Sequence, residues 1–225
     1  MSRPEPSRGR TGRPPLTSRP QILAAARRII DRDGWEKLTV RRLAAELGIG
    51  TTTLYHHVRD REDLLIQLLN EHADRTLALD LPREPRERIV AAATAIHDSL
   101  AAWPWAAEVL TTDGFLGRLG KSSLRMVEAV LAGAVDHGCT PEQAVHVFRS
   151  IWYFTVGEIL VRARSTGTDG ERPAFFAGVD MSGLPRLAAL GERWPELAAR
   201  DTYPRALRSF VDGLLAGTAP RPSNS

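Results

Sequence analysis

From Ile22 to Leu215 the apolar residues recur at intervals of three and four, and no stretch sustains the two-residue alternation of a half-buried strand. That periodicity restricts the chain to an all-α fold. Glycine and proline mark where the helices stop. A first helix is predicted over residues 20–33, with Ile22, Leu23, Ala26, Ile29 and Ile30 on one face, Pro20 in its first turn and Gly34 at its end. Thr39 can cap a second helix, 40–47, which turns Val40, Leu43, Ala44 and Leu47 inward and breaks at Gly48. A short third helix opens at Gly50 or Thr51 and carries Leu54 and Val58 inward. Asp60 can cap a fourth, whose stripe is Leu64, Leu65, Leu68 and Leu69.

Pro82 and Pro85 close this set, and a second set of helices follows. Residues 86–103 should bury Ile89, Ala93, Ile96 and Leu100; a short helix starts at Pro104; residues 119–137 should turn Leu124, Val127, Leu131 and Val135 to one face. "TPEQ" at 140–143 is a capping box with proline at the first helical position. The helix it opens runs to about Arg164 and is apolar nearly all round, so it needs cover on more than one side. Residues 165–182 are polar and glycine-rich and predict a mobile loop; a short helix near 184–191 and a last one at 204–217 complete the chain.

The chain has 225 residues, 43% hydrophobic and 25% charged, which is ordinary for a soluble globular protein. No apolar run approaches the roughly 20 residues of a membrane span. The N-terminal stretch lacks the apolar core of a secretory signal. Cys139 is the single cysteine, so no internal disulfide forms, which fits a cytoplasmic location. The net charge of +3 is unevenly placed: residues 1–30 hold Arg3, Arg8, Arg10, Arg13, Arg19, Arg27 and Arg28 against Glu5 alone. Such a proline-rich basic arm is either a nucleic-acid contact, "RGRTGRPP" suiting a narrow minor groove, or a solvated tail.

The run "TTTLYHHVRDREDLL" at 51–65 admits three readings: metal ligands, a catalytic histidine pair, or an exposed face made to touch something polar. The metal reading fails on geometry. Adjacent side chains project about 100° apart on a helix, and no Asp, Glu or His follows at i+4 in the same helix. Helix, turn at Gly48, helix is instead the spacing of a helix-turn-helix, whose second helix enters a DNA major groove. Threonine hydroxyls and methyls suit base edges, thymine methyls and phosphate oxygens.

"LTVRRLAAELGIGTTTLYHHVRDREDLL" resembles the DNA-binding domain of the tetracycline-repressor (TetR) family of bacterial regulators. "GCTPEQAVHVFRSIWYFTVGEIL" is similar to the long dimerising helix of the tetracycline-repressor branch itself. The resemblance implies base contacts from Arg41, Thr51, Thr52, Thr53 and His56, and phosphate contacts from Thr39, Tyr55, His57 and Arg61. Val40 and Thr51 stand where that repressor carries polar base readers, and Thr52 replaces a proline, which implies a different operator sequence. The domain order implied is a basic arm (1–19), a three-helix helix-turn-helix DNA-binding domain (20–65), an α-helical ligand-binding and dimerisation bundle (66–217) and a disordered tail (218–225).

Twelve of the fourteen aromatic residues lie at or beyond Trp103, which points either to a ring-lined cavity or to plain core packing. His97, Trp103, Trp105, Phe115, Met126 and Trp152 are the candidate lining, with Phe175 and Phe176 as a lid; a histidine placed like His97, taken alone, is more often a satisfied core residue than a ligand contact. The magnesium-binding constellation of the tetracycline repressor is not recognisable in "WPWAAEVLTTDG" or "EILVRAR", so no metal or cofactor is expected and the effector would be a small apolar or aromatic molecule. Two apolar helices, 144–161 and 205–215, would pair with their symmetry mates in a homodimer through Val156, Gly157, Leu160, Phe210 and Leu214. The sequence offers no triad, phosphate loop or metal cluster for an enzyme. The readings left are a DNA-binding regulator, most simply a repressor of a two-fold operator released by an effector, and a DNA-binding protein with no effector.

Overall fold

The computed structural model describes residues 18–77, 80–111, 114–165, 176 and 178–218. The basic arm up to residue 17 and the tail from 219 lie outside the described residues. Helices account for the fold, with no strand among the described residues. The chain divides into two compact units, one ending at Leu68 and the other beginning at Leu69.

The first unit holds α1 (Arg19–Asp33), a 3-10 turn (Trp35–Lys37), α2 (Val40–Leu47), α3 (Thr51–Tyr55) and the start of α4 (Arg61–Thr76). Each boundary has a local cause. The Thr39 hydroxyl accepts the Arg42 N–H at 3.1 Å and caps α2. Asp60 does the same for α4, accepting the Asp63 N–H at 2.7 Å. Gly48 ends α2 at φ 64°, in the left-handed region, and the Ile49 N–H reaches back to the Ala44 carbonyl at 3.0 Å. A side chain at Gly48 would be strained there, so the sharp turn between α2 and α3 depends on glycine. Ile22, Leu23, Ala26, Ile29, Leu43, Leu54, Val58, Leu64, Leu65 and Leu68 are buried, as the periodicity requires. Ile30, Val40 and Leu47 are only half-buried; Leu38, at the end of the 3-10 turn, is wholly buried instead.

The second unit takes the rest of α4, then α5 (Pro85–Ala101), α6 (Pro104–Val109), a 3-10 turn (Phe115–Arg118), α7 (Lys121–Asp136) and α8 (Pro141–Ser165). After these come α9 (Pro185–Leu190), a 3-10 turn (Gly191–Arg193), α10 (Trp194–Ala198) and α11 (Tyr203–Thr218). The 3-10 turns and α10 are too short to leave a periodic signal. Helix α5 packs along α7, α7 on α8, and α11 against α8 and α5. Their shared core includes Ile89, Met126, Val130, Val147, Ile151, Tyr203, Leu207 and Val211. Burying each large side chain contributes about 1.5–3 kcal/mol, which makes this core the main source of the unit's stability. The capping box at α8 forms as read: Thr140 N–H donates to Gln143 Oε1 at 2.8 Å and Gln143 N–H to Thr140 Oγ1 at 3.3 Å.

Helix α7 departs from the periodic reading. Leu124 and Val135 are exposed, and the buried face is Met126, Ala129, Val130, Gly133 and Ala134. The cause is close approach to α5: a Cβ at Gly133 would sit 2.7 Å from Ile89 Cγ1 and 2.8 Å from the Pro85 carbonyl oxygen. The small residues let the two helices meet, while Leu124 and Val135 are turned outward. Helix α8 also revises the membrane reading, because at 25 residues it is long and apolar enough to cross a membrane by length and composition. A core helix passes the same test, and Ala144, Val147, Ile151, Thr155 and Ile159 of α8 are buried within the protein.

The α5–α7 approach generates a prediction. Gly133→Ala should destabilise the protein by about 1–3 kcal/mol, because a backbone carbonyl cannot yield to the added methyl. A thermal melt unchanged from the parent chain would show that the two helices have room to part.

Candidate nucleic-acid interface and interior cavity

Helix α3 has too few residues to persist alone, and nucleation is unfavourable for any single turn. Its inner side holds it: Leu54 is fully buried and Val58, just beyond, is 2% exposed. With that side anchored, Thr51, Thr52, Thr53, Tyr55 and His56 stand exposed, while His57 is half-buried with its carbonyl accepting from Gln67 Nε2 at 3.3 Å. Thr39 is exposed, and its cap uses a lone pair, leaving the hydroxyl proton for an outside acceptor.

The arginines around this face divide into two kinds. Arg42 pairs with Asp33 at 2.6 Å, and Arg32 bridges Asp33 at 2.8 Å and Glu46 at 3.3 Å, tying the end of α1 to α2. Arg41 is exposed, with no ion pair among the described residues. Arg61 is turned inward. Its Nε donates to the Leu38 carbonyl at 2.7 Å, its Nη2 to the Trp35 carbonyl at 2.8 Å, and its guanidinium lies 4.8 Å from the Trp35 ring centre. Arg61 therefore braces the turn that carries Thr39. Asp63 supports the adjoining segment. Burial works to raise its carboxyl, but bonds from the Arg59 N–H at 3.0 Å and Gln67 Nε2 at 2.9 Å, with the Arg59 charge, hold it below the usual carboxylate range.

In the second unit lies a partly open cavity of about 50 Å³. Its wall comes from Leu69 and Ala73 of α4, from Leu77 just beyond that helix, and from α5, the 3-10 turn at Phe115, α7 and α8. Phe115 and Trp152 both line it and stack at 5.0 Å. The other residues proposed from sequence as lining are held elsewhere. Trp103 is 9% exposed, stacked between His72 at 4.1 Å and Trp105 at 5.4 Å. Met126 is in the core. His97 stacks on Tyr203 at 3.7 Å and bonds Glu158 through Nε2 and Asp98 through Nδ1, each at 2.9 Å. Phe176 meets the edge of Trp194 at 6.4 Å, and Phe175 lies outside the described residues. Sequence reading passed over Leu69, Ala73, Leu77, Ser99 and Ser123, which look like ordinary stripe or helix-start residues until the helices are assembled. Asn70 latches the segment after Phe115: its Nδ2 donates to the Arg118 carbonyl at 3.2 Å and its Oδ1 accepts the Gly120 N–H at 2.7 Å.

The outer side of α8 carries Val145, Arg149, Tyr153, Gly157 and Val161 at four-residue spacing, all exposed. Gly157 belongs to that stripe. Val156 is 8% exposed and faces inward, and Leu160, Phe210 and Leu214 are half-buried.

Comparison with known proteins follows this division. Residues 22–68 match the model of bacterial regulatory proteins of the tetR family, and residues 81–217 match that of the tetracyclin repressor-like C-terminal domain. The chain therefore belongs to the TetR family, and it is a DNA-binding transcriptional regulator, not an enzyme. It is 27% identical over 198 residues to the tetracycline repressor protein class A from transposon 1721 of Escherichia coli, covering 86% of this chain and 88% of that one. Among solved structures it resembles ActR of Streptomyces coelicolor, in complex with (S)-DNPA, at TM-score 0.71 and 22% identity over 90% of this chain and 98% of that one. It also resembles BioQ with its double-stranded DNA operator, at TM-score 0.61 and 23% identity over 88% and 97%.

Two expectations follow from the geometry. Arg61→Lys should destabilise the first unit by about 1–3 kcal/mol, since an ammonium cannot hold both carbonyls and the ring face; an unshifted melt would mean that the brace carries no load. Tyr203 is buried, its Oη is 2.7 Å from Thr155 Oγ1, and burial pushes its phenol from 10.0 up to about 12. The neutral phenol's stabilisation is thus fully present below pH 10.0 and is lost as pH rises towards about 12. Absorbance titration should show a phenol ionising well above pH 10.0 that disappears in Tyr203→Phe, and a titration without that late step would contradict this.

Proposed function

We propose that the protein is a homodimeric repressor that holds a two-fold operator and leaves it when a small, largely apolar or aromatic effector enters the second unit. The observation that carries the reading is the two-sided character of α3, with Leu54 and Val58 buried and the threonines, Tyr55 and His56 exposed. In this reading Arg41, Thr51, Thr52, Thr53 and His56 meet base edges, Arg41 being suited to guanine because a guanidinium can bond O6 and N7 together. Thr39, Tyr55 and His57 meet phosphates. Arg61 serves recognition by bracing the turn before α2. Binding takes place in the cytoplasm, where the operator is found.

The cavity supports an effector through what it lacks. At about 50 Å³ it is smaller than the few hundred cubic ångströms of a filled ligand site, so a ligand has to widen it. Leu69 and Ala73 of the wall belong to the same helix as Leu64, Leu65 and Leu68 of the first unit. A ligand that favours a wider arrangement would displace α4, and a coupling of roughly 1–3 kcal/mol changes operator occupancy about 5- to 150-fold. The α8 stripe around Gly157, with α11 beside it, is the proposed dimer surface, and it sets two copies of α3 against half-sites about one DNA turn apart.

The test begins with a duplex selected from a random pool. Gel shifts should show binding that weakens with salt at a slope of about −0.9 per phosphate contacted. Arg41→Ala should cost about 1–3 kcal/mol at the selected site and relax base choice there. Failure to enrich any duplex would end the DNA reading. Gly157→Leu should convert the dimer to a monomer in sedimentation without shifting the far-ultraviolet spectrum; a persistent dimer would place the interface elsewhere.

A further inference from the structure

One hydroxyl proton in the cavity wall, that of Ser99, has a fixed destination, and it gives the entering molecule a required polarity. Ser99 of α5 lies in the cavity wall and is 8% exposed. Its carbonyl is 3.1 Å from His72 Nε2, and since a carbonyl only accepts, that nitrogen carries its proton. The Thr76 hydroxyl donates to the His72 carbonyl at 2.9 Å, the back-bond common for threonine in a helix. Thr76 has one proton, and that bond uses it. The 3.1 Å contact between Ser99 Oγ and Thr76 Oγ1 must then be donated by Ser99. With its own proton directed to Thr76, Ser99 has only lone pairs left for anything in the cavity.

We infer that the effector is an uncharged, mostly apolar molecule bearing an O–H or N–H donor, and that Ser99 is the acceptor that selects it. The inference rests on the reading of this cavity as the effector site. Neutrality follows from the wall: no charged side chain lines the cavity among the described residues, so an ion buried there would have no partner. The other hydroxyl in the wall, Ser123, has no side-chain partner among the described residues and is free to rotate. It serves a donor or an acceptor equally and does not discriminate. Ser99 does, because a site with a committed acceptor rejects an isostere that lacks the matching proton.

Indole and benzofuran make the test, since they share a ring skeleton and differ by an N–H in place of an ether oxygen. Titration calorimetry on the full chain should give indole about a fivefold advantage over its ratio in Ser99→Ala, where the acceptor is gone. Thr76→Val removes the group that takes the Ser99 proton, so the serine becomes able to donate. In that variant the preference should shift toward benzofuran, and it keeps the proposal testable should Ser99→Ala fail to fold. If both probes bind and neither substitution moves their ratio, the acceptor assignment is overturned while the cavity stands as a ligand site. If neither probe binds, the effector reading of the cavity falls and the polarity assignment goes with it.

Discussion

A helix as short as α3 exists only because Leu54 and Val58 are pulled out of water on one side. That single burial decides what the other side can be. Once the inner residues are fixed, the three threonines, Tyr55 and His56 have nowhere to point except outward. The Gly48 turn sets the angle of approach, and the Thr39 cap sets where α2 begins. The chemistry that this face presents is therefore a by-product of packing: hydroxyl, methyl and ring groups on a mount held by Leu54 and Val58.

Charge is handled with similar economy in the first unit. Arg32 and Arg42 are committed to Asp33 and Glu46, and Arg61 to two carbonyls and an indole face. These cations stabilise the mount. Arg41, one position from Arg42, is exposed on α2 and has no ion pair among the described residues. Two neighbouring residues of the same type thus meet opposite surroundings because a helix turns by about 100° between them.

Much of this was legible in the sequence because it is local. Thr39, Gly48 and "TPEQ" place helix ends through bonds that span three or four residues, and the structure keeps them. The inner face of α3 follows from Leu54 and Val58 alone. What escaped was whatever depends on residues far apart in the chain. Periodicity gave α7 the face of its largest residues, whereas Gly133 and its small neighbours meet α5. Arg61 reads as a surface cation until the carbonyls of Leu38 and Trp35, more than twenty positions upstream, arrive beneath it. The cavity wall was half-seen: Phe115 and Trp152 drew notice as rings, but Ser99 and Leu77 carry no local mark of a void. Trp103 and His97 looked like lining for the same reason that they make good packing, being flat and broad.

The amide latch made by Asn70 bears on how the cavity could ever enlarge. The segment just beyond Phe115 is pinned to α4 at two points, Arg118 and Gly120, by the two ends of one planar group. Phe115 cannot swing away from Leu69 and Ala73 as a free flap. Either both bonds open together, leaving a half-buried donor and acceptor unpaired, or the helix travels with the loop. The first route is costly and the second is motion of α4 itself, so the amide works as a gear tooth that turns local swelling into displacement of a rod.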